Sequence, residues 1–272
     1  MNKKLSDFSG KKIIVTGAAG GLGQSLVKAL ILGEKSKVIA IDINEKELIQ
    51  LKAEIDEICP YSIEIMVADL TNETEIRNIY STLTEKNTIY GLINNAGMTD
   101  FGLTSSNLIN KYQKIIELNF LATMKLSLLF LDHFKIKGEG FIYNITSLTG
   151  LLPMAYQNIY SASKHAIQCF TFALDEEVNN REIFIGMFAP GGIDTSMFKE
   201  SGLSSHFEGK NVGIMGPDRV AIKALKNLRK KKLFSTSSFF DALCVISIRL
   251  FPGKLSRYVM KQIYKPQQQG DS

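Results

Sequence analysis

The sequence predicts an α/β fold in which a doubly wound parallel sheet carries helices on both faces. Short apolar runs alternate with longer amphipathic stretches, as in βαβ units with right-handed crossovers. Several runs are apolar almost throughout, which is typical of parallel strands buried on both faces. The predicted strands are 12–16, 37–41, 63–67, 89–93, 140–145 and 183–188, and the helices between them are 22–32, 44–56, 72–85, 108–134 and 157–179.

Composition and targeting signals narrow the class of protein. The 272 residues are 45% hydrophobic and 22% charged, which is enough to bury one sizeable core. The three cysteines and three histidines are widely spaced, so we expect no disulfide framework, no metal site and a reducing compartment. No apolar stretch precedes Ile13, and no run of about 18 apolar residues occurs. We therefore expect a cytoplasmic protein without a secretory signal or a spanning helix.

The net charge of +5 is unevenly distributed along the chain. From Arg219 onward there are 12 Lys and Arg residues against 2 Asp residues. This asymmetry indicates either a solvated basic face or contact with an acidic partner, and nothing in the sequence indicates nucleic-acid binding. We expect a core over residues 1–215 and a basic, partly apolar helical extension of the same domain over residues 216–272.

A glycine-rich turn follows the first predicted strand and opens the first helix. It reads TGAAGGLG over residues 16–23, and its informative glycines are Gly17, Gly21 and Gly23. Glycine lets a phosphate approach the backbone, and a helix N-terminus offers N–H groups and a positive dipole end. The turn predicts a dinucleotide site, although a tight strand-to-helix turn is the simpler alternative.

Asp42 ends the second predicted strand, 19 residues after Gly23. An acidic residue there can accept hydrogen bonds from ribose hydroxyls, and it would repel a 2′-phosphate. The segment before Gly21 has no basic residue to neutralise that phosphate. We therefore predict NAD rather than NADP. The alternative is that Asp42 caps the following helix, although Asn44 could serve that role instead.

Tyr160 and Lys164 stand one turn apart on the predicted helix 157–179 and thus share a face. An ammonium beside a phenol favours the phenolate, so we expect a lowered tyrosine pKa that suits acid–base catalysis. Taken alone, this spacing is more often a solvated helix face.

Further motifs occur after successive predicted strands, in a fixed order relative to this pair. Asp69 and Leu70 follow the third strand, NNAG (94–97) follows the fourth, and Asn119 lies in the next helix. Ser147 stands 13 residues before Tyr160, and PGGIDT (190–195) follows the sixth strand. Together these motifs resemble the short-chain dehydrogenase/reductase family over roughly residues 10 to 200.

The resemblance implies a Rossmann-type sheet of about seven strands and an oxidoreductase that uses NAD or NADP. It implies a homodimer or homotetramer, in which helices 108–134 and 157–179 commonly pair. By position, it implies a catalytic tetrad of Asn119, Ser147, Tyr160 and Lys164. The implied coenzyme-binding residues are Gly17, Ala19, Gly21, Leu22, Gly23, Asp42, Ile43, Asp69, Leu70, Asn95, Ala96, Gly97, Tyr160, Lys164, Pro190, Gly191, Ile193 and Thr195.

Two apolar regions are expected to close the substrate pocket. The loop after Ser147 supplies Leu148, Leu151, Leu152 and Met154, and the stretch after Thr195 supplies Met197 and Phe198. They favour an apolar secondary alcohol or ketone, although ordinary core packing would explain them equally well.

The C-terminal region is expected to contain a helix over residues 216–232, then a mostly apolar stretch over residues 239–251 flanked by basic residues. We favour a helix packed over the substrate pocket or a dimer seam above peripheral contact with an anionic membrane.

The leading hypothesis is an NAD-dependent dehydrogenase or reductase of a secondary alcohol or ketone. The alternatives are a dinucleotide-binding sensor or scaffold without turnover, and a membrane-peripheral enzyme that reduces lipid ketones.

Overall fold

The computed structural model describes residues 5, 7–85, 88–178, 182–207, 213–238, 241–243 and 253–265. Its centre is a seven-stranded, fully parallel sheet with the order β3-β2-β1-β4-β5-β6-β7. The strands are β1 Lys12–Thr16, β2 Lys37–Asp42, β3 Ile63–Val67, β4 Ile89–Asn94, β5 Gly140–Ile145, β6 Ile183–Ala189 and β7 Phe234–Thr236. The predicted doubly wound, Rossmann-type fold is confirmed.

Helices follow most strands. The longer ones are α1 Gly21–Lys28, α2 Glu45–Ile58, α3 Glu73–Thr84, α4 Ile109–Ile116, α5 Thr123–Lys137, α6 Asn158–Glu177 and α9 Pro217–Arg229. The shorter or more peripheral ones are α7 Ser196–Glu200, α8 Leu203–His206 and α10 Gly253–Tyr264. Two π-helical turns, Ala29–Gly33 after α1 and Glu117–Ala122 between α4 and α5, interrupt stretches predicted as continuous helices.

Local capping explains where several helices begin and end. The side chain of Asn44 accepts from the Glu47 N–H at 3.3 Å, and Asn72 accepts from the Thr74 N–H at 2.9 Å. Both caps precede acidic first turns, which the helix dipole favours. Helix α5 ends at Gly138 with a φ of 79°, a left-handed conformation that glycine adopts without strain.

The core lies on both faces of the sheet. Along β1, Ile13 and Val15 pack into one cluster with α1, α2 and α9, whereas Ile14 packs into the other with α3 and α5. Strands β1, β4, β5 and β6 are buried almost throughout. This two-sided burial is the physical reason why their sequences are apolar without alternation.

The seventh strand was not among the predicted strands. Phe234–Thr236 has only three residues, two of them polar, and it pairs with the end of β6. Because β7 is part of the sheet and α9 packs against α1, residues 217–236 are integral to the sheet structure. Ser25 of α1 donates to Asp218 of α9 at 2.5 Å. The boundary at residue 215 stays a prediction.

The C-terminal predictions fall partly outside the described residues. Of the apolar stretch 239–251, only residues 241–243 are described, and they are helical. Within the described part of the chain, no helix is long and apolar enough to cross a bilayer.

We expect Gly91→Ala to destabilise the fold. A Cβ at Gly91 in β4 would collide with the ring of Phe141 on the neighbouring strand β5, and both residues are buried. Overpacking of this kind costs about 1–3 kcal/mol, measurable as a lower free energy of unfolding in urea. Gly33→Ala is the matched control, because nothing lies within 4 Å of its added Cβ. Equal stability of the two variants would contradict this packing.

Candidate active site

The site forms at the point where the strand order reverses, between the carboxyl ends of β1 and β4. Thr16 ends β1 and its hydroxyl accepts from the N–H groups of Asn95 and Ala96, at 3.0 and 3.1 Å. The Asn95 amide in turn donates to the carbonyls of Thr16 and Gly17, both at 3.0 Å. The side chain of Asn95 thus holds the glycine turn against β4.

The glycine turn is closely packed. Gly17 has a φ of +64°, and a Cβ there would lie 2.6 Å from the Cα of Ala96. A Cβ at Gly23 would collide with the carbonyl oxygen of Gly17. Only glycine therefore permits this turn to fold back onto α1.

The N-terminus of α1 fits the pyrophosphate of a dinucleotide. Its N-cap is Gly20, no side chain caps it, and its first turn contains no acidic residue. The first N–H groups of the helix are thus available to an anion at the positive end of the dipole. Ala19, Gly21 and Leu22 belong to this segment, as predicted from the sequence.

Thr195 forms the opposite wall of this cleft. A Cβ at Gly21 would lie 2.9 Å from the Thr195 methyl carbon, so the two segments approach closely. Thr195 caps α7 by accepting from the Phe198 N–H at 3.4 Å. The preceding loop is fixed by the Gly191 N–H, which donates to the Ser237 hydroxyl at 3.1 Å, and by a bridge between Ile193 and Met215. Pro190 is buried, and its carbonyl accepts from Leu148.

Asp42 has two partners in the protein. One carboxylate oxygen accepts from the Ala19 N–H and the other from the Asn44 N–H, both at 3.0 Å. Asn44, not Asp42, caps α2. Asp42 therefore lies at the edge of the glycine turn, half-buried, with the exposed side chain of Ile43 beside it.

Asp69 and Leu70, the two residues predicted to contact the adenine, differ in how exposed their side chains are. Leu70 is only 4% exposed, and its side chain packs in the core cluster with α3 and α5, so its predicted adenine contact would be made by its backbone. Asp69 accepts from the N–H and hydroxyl of Thr71, at 2.9 and 2.8 Å. Only the backbone of Leu70 and the half-buried Asp69 remain for this contact.

Asn119 lies in the π-helical turn and is fully buried. Its amide donates to the Met98 carbonyl and the Ser163 hydroxyl, both at 2.9 Å, and its oxygen accepts from the Met98 N–H at 2.8 Å. These bonds tie the loop after β4 to α6. π-helical turns occur often at functional sites, but no pattern in the sequence predicted this one.

Tyr160 and Lys164 lie on the inward side of α6. Lys164 is buried, and its ammonium nitrogen donates to the Ile145 carbonyl at 3.1 Å. It lies 5.8 Å from the centre of the Tyr160 ring. A Cβ at Gly97 would lie 3.2 Å from the Asn119 oxygen and 3.4 Å from the Lys164 nitrogen. Glycine at position 97 therefore leaves room between the two polar side chains.

The pKa shifts of Tyr160 and Lys164 are set mainly by burial. Burial raises the pKa of Tyr160, while a hydrogen bond with Ser147 lowers it and the charge of Asp100 raises it. Burial lowers the pKa of Lys164 to about 8. The prediction of a lowered tyrosine pKa is wrong, because burial, which raises the pKa of Tyr160, is the largest influence on it.

Ser147 is held by residues that the sequence analysis did not identify. Its hydroxyl oxygen accepts from the hydroxyl and the N–H of Thr149, at 3.0 and 3.2 Å. The Gln168 amide donates to the Ser147 carbonyl at 2.9 Å and to the Thr146 hydroxyl at 3.2 Å. The structure thus brings all four predicted tetrad residues to one region, at the ends of β5 and α6.

Asp100 is the titratable group that sequence reasoning missed. It is buried in the loop after β4, and it accepts from the Tyr160 N–H at 3.3 Å. Burial raises its pKa. The only sequence signal was a lone acidic residue three positions after NNAG, which does not by itself predict contact with the start of α6.

No group of three or more potential metal ligands occurs among the residues that the structure describes. The glycine cradle, the uncapped α1 and the facing Thr195 instead fit a dinucleotide.

Comparison with known proteins decides the family. The family model for short chain dehydrogenase matches residues 11–205, most of the chain. The chain belongs to the short-chain dehydrogenase family. It is therefore an oxidoreductase that acts on CH–OH groups with NAD or NADP.

Two curated relatives show the range of similar short-chain dehydrogenases. The chain is 30% identical over 225 residues to 15-hydroxyprostaglandin dehydrogenase [NAD(+)] of Bos taurus, covering 79% of this chain and 80% of the relative. It is 27% identical over 266 residues to the ketoacyl reductase HetN of a Nostoc strain, covering 96% and 90%.

Solved structures share the fold. A short-chain dehydrogenase from Sphingobium yanoikuyae in complex with NADPH has a TM-score of 0.77 at 22% identity, covering 96% of this chain and 98% of that one. One from Burkholderia phymatum in complex with NAD has a TM-score of 0.81 at 19% identity, covering 93% and 97%.

We expect Asp100→Asn to lower the pKa of Tyr160. The substitution removes a negative charge that disfavours the phenolate, and it keeps an oxygen that can accept from the Tyr160 N–H. The pKa is measured by NMR of ring-labelled tyrosine, with Tyr160→Phe assigning the resonance. Asp194→Asn, on an exposed carboxylate, is the control and should leave this pKa unchanged. An unchanged or higher pKa in Asp100→Asn would show that its carboxylate does not act on the phenol.

Proposed function

We propose that this short-chain dehydrogenase interconverts an apolar secondary alcohol and its ketone, with NAD as the preferred coenzyme and Tyr160 as general acid–base. The observation that carries the proposal is the meeting of Tyr160, Ser147 and buried Lys164 at the inner end of the cleft bounded by the glycine turn and Thr195.

The chain's own residues would position the substrate and move its proton. The Ser147 hydroxyl, oriented by Thr149, would hydrogen-bond the reacting oxygen. The Tyr160 hydroxyl would give its proton to that oxygen in reduction and take it back in oxidation. Lys164 would support the phenolate, and Asn119 would fix the loop that faces it. When bound, the nicotinamide supplies the hydride acceptor or donor.

The preference for NAD rests on Asp42. Its carboxylate stands at the edge of the glycine turn, bound to the Ala19 N–H. A 2′-phosphate placed there would meet a negative charge, whereas ribose hydroxyls would find an acceptor. Among the relatives, the prostaglandin dehydrogenase is named for NAD(+), and the Sphingobium enzyme was solved with NADPH. The charge of Asp42 is the feature that favours NAD here.

The preference for an apolar substrate rests on the side chains around the tetrad. Leu148, Leu151 and Leu152 are half-buried after Ser147, and Met197 is 40% exposed on α7. Met154, by contrast, is 2% exposed and belongs to the packed interior. The named substrates of similar proteins, a hydroxyprostaglandin and a ketoacyl group, are also largely apolar.

The setting proposed for this enzyme is a cytoplasmic homodimer or homotetramer. An apolar cavity of about 360 Å³ opens on the outer face of α4 and α6, the helices expected to pair between subunits. The cavity is lined by Ile109, Tyr112, Gln113, Ile116, Glu117, Leu121 and Ile159. The cytoplasmic setting is supported by the sequence, whose three widely spaced cysteines suit a reducing compartment.

A dinucleotide-binding sensor or scaffold without turnover is the alternative function. It would need the cleft but not the acid–base groups. Burial of Lys164 works against it, because a desolvated amine costs stability that a binding role alone would not require.

We expect Tyr160→Phe to reduce kcat by about 10²–10⁴ with little change in NADH binding, because only the proton donor is removed. A panel of ketones screened with NADH first identifies a substrate, and absorbance then gives kcat for each variant. Tyr61→Phe, on a 91% exposed tyrosine, is the control. Undiminished turnover in Tyr160→Phe would refute the mechanism. No turnover by the wild type on any substrate, with tight NADH binding, would favour the sensor.

We expect the wild type to bind NADH at least about tenfold more tightly than NADPH, and Asp42→Asn to narrow that ratio by removing the charge. Titration of coenzyme fluorescence measures both dissociation constants. Asp69→Asn is the control, since its carboxylate is proposed near the adenine rather than the 2′-position. Tighter binding of NADPH by the wild type would overturn the role given to Asp42.

A further inference from the structure

Helix α10 exposes an unusual combination of side chains. Leu255, Tyr258, Val259 and Ile263 are 42–62% exposed although all four are large and apolar. Their spacing of three, four and eight residues places them along one side of the helix. A helix of 12 residues is about 18 Å long, so this stripe is a continuous apolar strip on the protein surface.

Cations lie along one edge of the apolar strip. Lys254, Arg257 and Lys261 recur at three and four residues on α10, next to Tyr258 on the helical wheel, and Lys265 directly follows the helix. All four are exposed, and none forms an ion pair with another described residue. The segment 253–265 contains no acidic residue. All the charged side chains of this segment are therefore positive.

The C-terminal end of α10 is attached to the body of the protein. The His206 Nε2 lies 2.7 Å from the carbonyl oxygen of Ile263, the geometry of an N–H donating to a carbonyl. The ring of Tyr264 packs edge-on against Phe207 at 5.2 Å. These contacts join α10 to the end of α8. Helix α8 follows α7 in the chain, and α7 begins directly after Thr195. The Tyr264 side chain lies on the side of the helix opposite the apolar strip.

We propose that α10 is a membrane-surface helix, with the apolar strip inserted at the boundary between headgroups and acyl chains and the four cations held by anionic lipid headgroups. A basic amphipathic helix with a large apolar face binds this interface, and juxtamembrane cations add attraction to an anionic leaflet. Anionic lipid is favoured over an apolar partner because the cationic edge requires an extended negative surface. The assignment rests on α10 alone, so it stands or falls independently of the substrate and of Tyr160.

The test uses tryptophan fluorescence, since the chain contains no tryptophan. Tyr258→Trp places one fluorophore in the apolar strip. Its emission should shift to the blue on addition of phosphatidylcholine vesicles that contain phosphatidylserine, and much less with phosphatidylcholine alone. Tyr61→Trp is the matched control, because Tyr61 is 91% exposed on the loop between α2 and β3 and should show no shift.

A second pair of variants tests the cationic edge. In the Tyr258→Trp background, Lys254→Gln with Lys261→Gln should weaken binding to anionic vesicles roughly 30-fold, given about 1 kcal/mol for each lysine. Lys37→Gln with Lys46→Gln, on two exposed lysines elsewhere, should leave binding unchanged. Thermal melts check that all the variants remain folded.

Three results would overturn the proposal. The first is no shift of Tyr258→Trp with anionic vesicles. The second is a shift that depends on protein concentration without lipid, which would mean that a second copy covers the strip. The third is an equal shift with soluble polyglutamate and none with vesicles, which would mean an acidic protein partner.

Discussion

The site depends above all on the clamp between Thr16 and Asn95. Four hydrogen bonds, two from the Asn95 side chain and two from N–H groups to the Thr16 hydroxyl, join the ends of β1 and β4, where the strand order reverses. The clamp fixes the glycine turn, and the glycine turn fixes the start of α1 beside Thr195. The residues predicted to bind the coenzyme and those predicted to form the tetrad thus lie together because two strand ends are held in register. Asn95, which the family resemblance assigns to coenzyme contact, is first a structural residue.

Desolvation dominates the electrostatics of the acid–base groups. The same burial raises the pKa of Tyr160 and lowers that of Lys164, so both groups are moved towards their neutral forms. Ser147 works in the opposite direction by hydrogen-bonding the phenol, and Asp100 adds to the effect of burial. A cation bound beside the phenol would favour the phenolate. In the proposed mechanism, part of the positive charge that favours the Tyr160 phenolate would therefore come with the ligand.

The parts of the fold that could be predicted from the sequence are those with strong local patterns. Six strands were predicted within one residue at each end, because buried parallel strands are continuous apolar runs. Strand β7 was missed, since Phe234–Thr236 is short and polar and gains its structure only by pairing with β6. The π-helical turn at Asn119 was missed as well. The Asn119 side chain forms its hydrogen bonds with Met98 and Ser163, which are distant in sequence. Helical periodicity cannot predict such bonds.

The same distinction holds within the site. Tyr160, Lys164 and Ser147 could be found because their spacing along the chain is itself a pattern. Asp100, Thr149 and Gln168 act through tertiary contacts to those residues, so a single sequence does not single them out. The direction of the Tyr160 pKa shift was predicted wrongly for a related reason. Neighbours on a helix can be identified from the sequence, whereas the degree of burial cannot.

The segment proposed to line the substrate pocket, α7 and α8, is held by different contacts from those that hold the glycine turn. Helices α7 and α8 have only five and four residues, too few to be stable without packing. An aromatic cluster supplies that packing: Phe198 stacks on Phe207, Phe101 meets His206 at 5.3 Å, and Tyr264 reaches both His206 and Phe207. Because Tyr264 belongs to α10, anything that binds α10 would also bear on the proposed wall of the substrate pocket. A membrane bound by this helix would hold the entrance for an apolar alcohol close to the lipid phase in which such a molecule concentrates.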